Sequence, residues 1–143
     1  TGVQITLLTR SIPESDFFQL NKNINRTVLQ GHEGTGNLFT AIFYNIKWIL
    51  KLRRAIRQSQ APVVLSFVAG TNILVVLACF RLKLHTVISE RNDPARQSLG
   101  LAWDFLRRLT YRHANVVTAN SYGALESLKQ FVPVHRLAYV PTR

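Results

Sequence analysis

A chain of 143 residues, 47% hydrophobic and 17% charged, carries enough apolar mass for one ordinary domain and is too apolar for a disordered tail. Its 18 lysines and arginines against 7 aspartates and glutamates leave a formal charge of +11, which favours anionic partners and says nothing of the fold. The single Cys79 excludes an internal disulfide framework and suits a reducing compartment, and the absence of Met with the opening Thr1-Gly2 leads us to expect a piece of a longer protein.

Residues 3–9 (VQITLLT) form a β-branched, apolar run bounded by Gly2 and by Arg10-Ser11-Ile12-Pro13, the pattern of a buried strand. Residues 27–29 predict a short second strand, and the glycines Gly31, Gly34 and Gly36 predict a loop. Across residues 38–58, Phe39, Ile42, Phe43, Ile46, Ile49, Leu50 and Ile56 recur at the spacing of one helix face, with Thr40, Tyr44, Lys47, Lys51, Arg54 and Gln58 on another. The spacing predicts a long amphipathic helix whose apolar stripe meets a core.

Residues 63–67 (VVLSF) read as a buried strand, 72–81 as a helix and 85–89 as a strand, and a further helix is expected to start near Pro94. Residues 115–119 (NVVTA), 121–131 and 137–140 (LAYV) continue as strand, helix and strand, closed by Pro141. Near-continuous apolar strands alternating with helices predict an α/β chain: a Rossmann-like parallel sheet with helices on both faces, as a single domain over residues 1–143. The longest apolar run, 63–82, is broken by Ser66, Gly70, Thr71, Asn72 and Arg81 and falls short of the roughly 18 apolar residues of a spanning helix. No signal-peptide pattern occurs at the start.

Ligands of open parallel sheets bind beyond the carboxyl ends of the strands, so the residues following each strand are the candidates. These are Thr9-Arg10-Ser11, the segment 66–72 (SFVAGTN), the segment 89–94 (SERNDP) and Asn120-Ser121-Tyr122. SERNDP is the richest. Asp93 followed by Pro94 is cap chemistry, which gives both a structural reading. Glu90, Arg91 and Asn92 have no such local reason. Arginine grips phosphate or carboxylate with two donors, and Asn and Glu hold sugar hydroxyls.

Other signatures fail. No GxGxxG joins a strand to a helix, no GxxxxGK precedes Ser or Thr, and no CxxC or HExxH spacing exists, so dinucleotide, P-loop and zinc readings lose support and no metal is expected. Lys47, Lys51, Arg53, Arg54 and Arg57 share a helix with Phe39, Phe43, Trp48 and Ile49, and Arg107, Arg108 and Arg112 accompany Trp103 and Phe105. Cations beside bulky apolar groups suit an anionic membrane surface, with Lys47, Lys51 and Arg54 as its contacts. Nucleic-acid binding would need stacking aromatics on strands or a recognition helix, and is not expected.

With these residues in hand, the chain resembles the N-terminal, acceptor-side domain of retaining glycosyltransferases of family four with the GT-B fold. The resemblance runs through residues 3–10 (VQITLLTR), 52–67 (LRRAIRQSQAPVVLSF), 87–94 (VISERNDP), 106–128 (LRRLTYRHANVVTANSYGALESL) and 137–143 (LAYVPTR). VISERNDP is the most specific of these. The family's usual first strand with its Gly-rich loop is expected to be missing, and so is the C-terminal, donor-binding domain. The glutamates Glu14, Glu33, Glu90 and Glu126 contain no pair seven apart, as that domain would carry.

The resemblance implies transfer of a sugar, with retention at the anomeric carbon and no metal, from a nucleotide-diphospho-sugar to a lipid-linked or glycan acceptor. It implies that the present piece is inactive alone. Glu90 is then the candidate catalytic residue, and Ser89, Arg91, Asn92, Ser66 and Asn72 are candidates for contacts to acceptor or sugar. A peripheral, cytoplasmic place on the inner face of the membrane is expected. The alternative from another class is a non-enzymatic α/β module binding a phosphorylated ligand or an anionic surface.

Overall fold

Parallel strands cannot be joined by a tight turn, so each needs a crossover, and the helices predicted between them supply one. The structure, a computed structural model, describes residues 2–10, 20–29 and 37–141. The predicted loop at residues 31–36, Ser11 to Pro13 after the first strand, and Thr142 and Arg143 lie outside the described residues. The chain divides into two compact units, Thr1–Ala55 and Ile56–Arg143.

In the first unit β1 (Ile5–Thr9) and β2 (Ile24–Val28) pair in parallel, with Ile5 opposite Ile24 and Thr9 opposite Val28. Leu29 N–H extends the pairing to the Thr9 carbonyl at 2.7 Å, and Arg26 Nε donates to Thr9 Oγ1 at 3.0 Å. β2 begins three residues earlier than predicted because Ile24, Arg26 and Val28 turn half-inward while Asn25 and Thr27 face out. That alternation is hidden by the polar residues of the stretch. β1 is not the buried strand its composition predicts, since Ile5 is 50% exposed.

The long helix forms as expected, as α1 (Leu38–Ser59). Asn37 starts it: its Oδ1 accepts from Thr40 N–H at 3.1 Å and its carbonyl from Ala41 N–H at 3.2 Å. The inward face shares Ile56 with the predicted stripe and otherwise differs from it. Leu52 and Ile56 are buried, whereas Phe39, Ile42, Phe43, Ile46 and Leu50 are exposed, Phe39 at 81%. Apolar residues occupy both sides of this helix, and spacing alone could not say which side turns inward.

The second unit is a four-stranded parallel sheet of order β3-β4-β5-β6: Val63–Phe67, His85–Glu90, Val116–Ala119 and Leu137–Tyr139. Helices α2 (Ala69–Cys79), α3 (Leu101–Tyr111) and α4 (Tyr122–Lys129) connect consecutive strands. This is the α/β, Rossmann-like arrangement, a parallel sheet flanked by helices. The core joins Ile73 and Val76 of α2, Ile88 of β4, Tyr111 of α3, Val117 and Ala119 of β5, and Ala124 and Leu128 of α4. Each fully buried Ile, Val or Leu side chain among these stabilises the fold by about 1.5–3 kcal/mol. β3 departs from the expectation of burial on both sides: Val63, Leu65 and Phe67 stand exposed in one row.

From Ile73 on α2 is apolar, with Ile73, Leu74, Val75, Val76, Ala78 and Cys79 buried and Leu77 exposed, as suits a helix largely enclosed by its neighbours. The helix expected near Pro94 does not form there. Asp93 caps one turn, accepting Ala95 N–H on Oδ1 at 3.0 Å and the N–H groups of Arg96 and Gln97 on its carbonyl at 3.0 Å. The chain then runs irregularly to Gly100, the residue before α3, whose φ of 93° favours glycine. α3 starts after it, where the Asp104 carboxylate accepts from Leu99 N–H at 3.1 Å and Ser98 Oγ at 2.6 Å.

Candidate functional site

The sheet register aligns the strand ends. Glu90 closes β4 opposite Ala119 of β5, and Ala119 lies opposite Tyr139 of β6. Ser89 is opposite Phe67, the last residue of β3. Beyond this edge come Arg91 and Asn92, both exposed.

Beneath it lies a buried polar network. Glu90 and Asn72 are fully enclosed, both at 0% exposure. The Tyr111 hydroxyl donates to Glu90 Oε2 at 2.6 Å, and Asn92 N–H donates to Glu90 Oε1 at 3.4 Å. Asn72 Nδ2 donates to the Ser89 carbonyl at 3.0 Å and to the Tyr111 oxygen at 3.3 Å. One network therefore ties α2, the end of β4 and the end of α3. Burial, and then the charge of Glu90 and the bond to it, push the Tyr111 phenol far above its ordinary value, so it remains a donor. Among the described residues, Ser66 Oγ and Asn72 Oδ1 are buried without a hydrogen-bond partner.

The predicted site residues thus fall into two groups. Ser66, Asn72 and Glu90 are inside, and Ser89 is half-buried with its carbonyl held by Asn72. Arg91 and Asn92 are outside and face solvent. Asp93 ties the loop to α4: Ser127 Oγ donates to its Oδ1 at 2.6 Å, and a Cβ added at Gly123 would stand 3.4 Å from its Oδ2. The Ser127 hydroxyl, then the Ala95 amide and the Arg96 charge, hold the Asp93 carboxyl below its usual value.

Arg107, read in the sequence as part of a basic surface, is instead buried at 3% exposure. Its Nη2 pairs with Asp104 Oδ1 at 2.7 Å and donates to the Gln97 carbonyl at 3.1 Å, so it fastens the Asp93 turn to α3. Tyr111 carries no local sequence signal for its role, since its partners Glu90 and Asn72 lie on other elements, whereas the spacing of Asp104 and Arg107, three apart on α3, is a local signal of their ion pair. At the end of β3, Val68 holds φ 72° and ψ 127°. A β-branched residue there stores on the order of 1–3 kcal/mol of strain, the kind of strand-end irregularity found beside ligand sites.

The cations of α1 flank its exposed apolar stripe. Lys47 Nζ sits 4.7 Å from the Phe43 ring centroid, and helical spacing places Lys51 and Arg54 on the same flank. No helix among the described residues is long and apolar enough to cross a membrane, and no three His, Cys, Asp or Glu side chains gather among them as a metal would need.

The sequence matches the model of Glycosyltransferase Family 4 over residues 1–142. The chain belongs to glycosyltransferase family 4. This family-4 chain is also similar, at 32% identity over 95 residues, to the GalNAc-alpha-(1->4)-GalNAc-alpha-(1->3)-diNAcBac-PP-undecaprenol alpha-1,4-N-acetyl-D-galactosaminyltransferase of Campylobacter jejuni. The match takes in 66% of this chain and 26% of that relative, so the family-4 chain spans about a quarter of the relative's length.

Proposed function

We propose that this chain is the acceptor-side part of a glycosyltransferase that moves a sugar from a nucleotide-diphospho-sugar to a lipid-linked or glycan acceptor. The family match over residues 1–142 carries the reading. The relative whose name specifies a diphospho-undecaprenol-linked acceptor supports the lipid-linked form. In the reaction the acceptor oxygen bonds to the anomeric carbon, the bond to the diphosphate oxygen breaks, and the electron pair leaves with the diphosphate. The acceptor's proton goes to the departing phosphate oxygen. Retention of configuration, no metal, and a separate donor-binding domain complete the reading.

Within this chain Arg91 and Asn92 are the groups placed to meet the acceptor, because they stand exposed at the carboxyl edge of the sheet. Arg91 suits a diphosphate or carboxylate and Asn92 a hydroxyl. Glu90 acts by holding their loop: its carboxylate is enclosed and engaged by Tyr111 and the Asn92 amide. The exposed stripe of α1, with Lys47, Lys51 and Arg54 beside it, has the make-up of a helix lying on an anionic membrane, which supports the reading of a peripheral enzyme at the inner face.

The test is transfer by the full-length protein of labelled sugar from nucleotide-diphospho-sugars to a polyprenyl-diphosphate-linked saccharide, with the product's anomeric configuration read by NMR. The reading expects labelled lipid-linked product with the donor's configuration. Donor hydrolysis without transfer, or binding without turnover, would contradict it.

A further inference from the structure

Two tyrosines at the same sheet edge are stacked on each other outside the core. Tyr122 and Tyr139 have ring centroids 4.4 Å apart and planes 20° apart, with exposures of 68% and 39%. Neither belongs to the buried cluster around Ile73, Ile88 and Leu128. One exposed tyrosine needs no explanation, but a stacked pair that leaves most of one ring wet presents a flat apolar face to solvent.

The pair is also firmly held. Tyr139 ends β6 opposite Ala119, and Val140 N–H donates to the Ala119 carbonyl at 2.9 Å. Tyr122 opens α4, whose start is capped by Ser121 Oγ accepting Ala124 N–H at 3.2 Å. The neighbouring Gly123 lies close to Asp93, whose carboxylate Ser127 of the same helix also binds. The rings therefore stand on a strand and a capped helix, fixed to the loop that carries Arg91 and Asn92. From Glu90 to Tyr139 the sheet advances two strands, roughly 10 Å at ordinary strand spacing.

We propose that the Tyr122–Tyr139 stack is a platform for a pyranose ring of the acceptor, lying beside the polar loop at Arg91 and Asn92. A pyranose has a face of C–H bonds whose slight positive charge suits the negative face of an aromatic ring, while its rim of hydroxyls suits amide, guanidinium and phenol groups. The edge supplies both, the flat face from Tyr122 and the polar groups from the adjoining loop. The proposal rests on the acceptor-side reading above, and goes beyond it by naming the residues that take the sugar.

The experiment is saturation-transfer NMR on the full-length protein with methyl glycosides of glucose, galactose, mannose, N-acetylglucosamine and N-acetylgalactosamine, and with uridine diphosphate as comparator. Tyr122→Leu keeps bulk without the aromatic face, and Tyr122→Trp keeps a flat face; both leave the core untouched, and their melting temperatures are measured alongside. We expect saturation of one C–H face of at least one pyranoside, reduced about tenfold in Tyr122→Leu and retained in Tyr122→Trp. Equal signal in Tyr122→Leu, no signal from any pyranoside, or saturation confined to the uracil protons would overturn it. The wild-type transfer assay separates the two claims. A protein that transfers sugar without a Tyr122-dependent signal loses the platform alone, and one that binds pyranosides on Tyr122 but transfers nothing loses the acceptor-side reading.

Discussion

The Tyr111 hydroxyl, at the end of α3, donates a 2.6 Å hydrogen bond to Glu90 Oε2 at the end of β4, and neither residue has any exposed surface. An enclosed carboxylate that loses a donor keeps its desolvation cost and loses the compensation. Tyr111→Phe removes only the hydroxyl, and is expected to lower unfolding free energy by about 1–3 kcal/mol. Urea denaturation checks this. A change within experimental scatter would mean that the network does not hold the strand end.

The Asp93–Ser127 bond gives a pH signature. Because the folded carboxyl is held below its usual value, its stabilising contribution is fully present above the unfolded carboxyl value, about 3.9, and is lost as pH falls through the lower folded value. Wild type should therefore exceed Asp93→Asn in stability by a constant margin from pH 5 to 7, and the margin should shrink below about pH 4. Thermal melts across that range supply the measurement. A margin that grew on acidification would reverse the sign and refute the assignment.

For the membrane, replacing Lys47, Lys51 and Arg54 with Gln should weaken cosedimentation of the full-length protein with anionic vesicles, by about 150-fold at most if each cation contributes about 1 kcal/mol. Replacing Phe39, Phe43 and Ile46 with Ser should weaken it too, since these stand exposed on the stripe. High salt should reduce wild-type binding. Binding indifferent to lipid charge and salt would leave the stripe without this role.

Strands β3 and β4 could be read almost residue by residue, because VVLSF and VISE are short, largely apolar runs followed by polar or turn-forming residues. What could not be read depends on distant partners. Pro94 and Asp93 signal a helix start correctly as local chemistry, but they make a single turn, and the real helix starts farther on at Leu101, where Asp104 accepts from Leu99 N–H. Asn72 looked like a strand-end ligand group, whereas Ser89 and Tyr111, 17 and 39 residues away, engage it from within. Arg107 looked like surface charge because a basic residue at a helix end usually is, although Asp104 three residues before it and the Gln97 carbonyl hold it inside. The exposed stripe of α1 has a composition that fits either a core or a membrane, and only the fold distinguishes its two sides.

The most direct measurement is steady-state kinetics of full-length Arg91→Ala and Asn92→Ala, with donor and lipid-linked acceptor varied separately and melting temperature recorded. Both residues are exposed at the end of β4 and contribute little to packing. The account predicts an acceptor KM raised about tenfold in Arg91→Ala, the loss of one charged hydrogen bond, with donor KM and melting temperature unchanged. An unchanged acceptor KM, or a rise confined to the donor KM, would contradict the assignment of this strand edge to the acceptor.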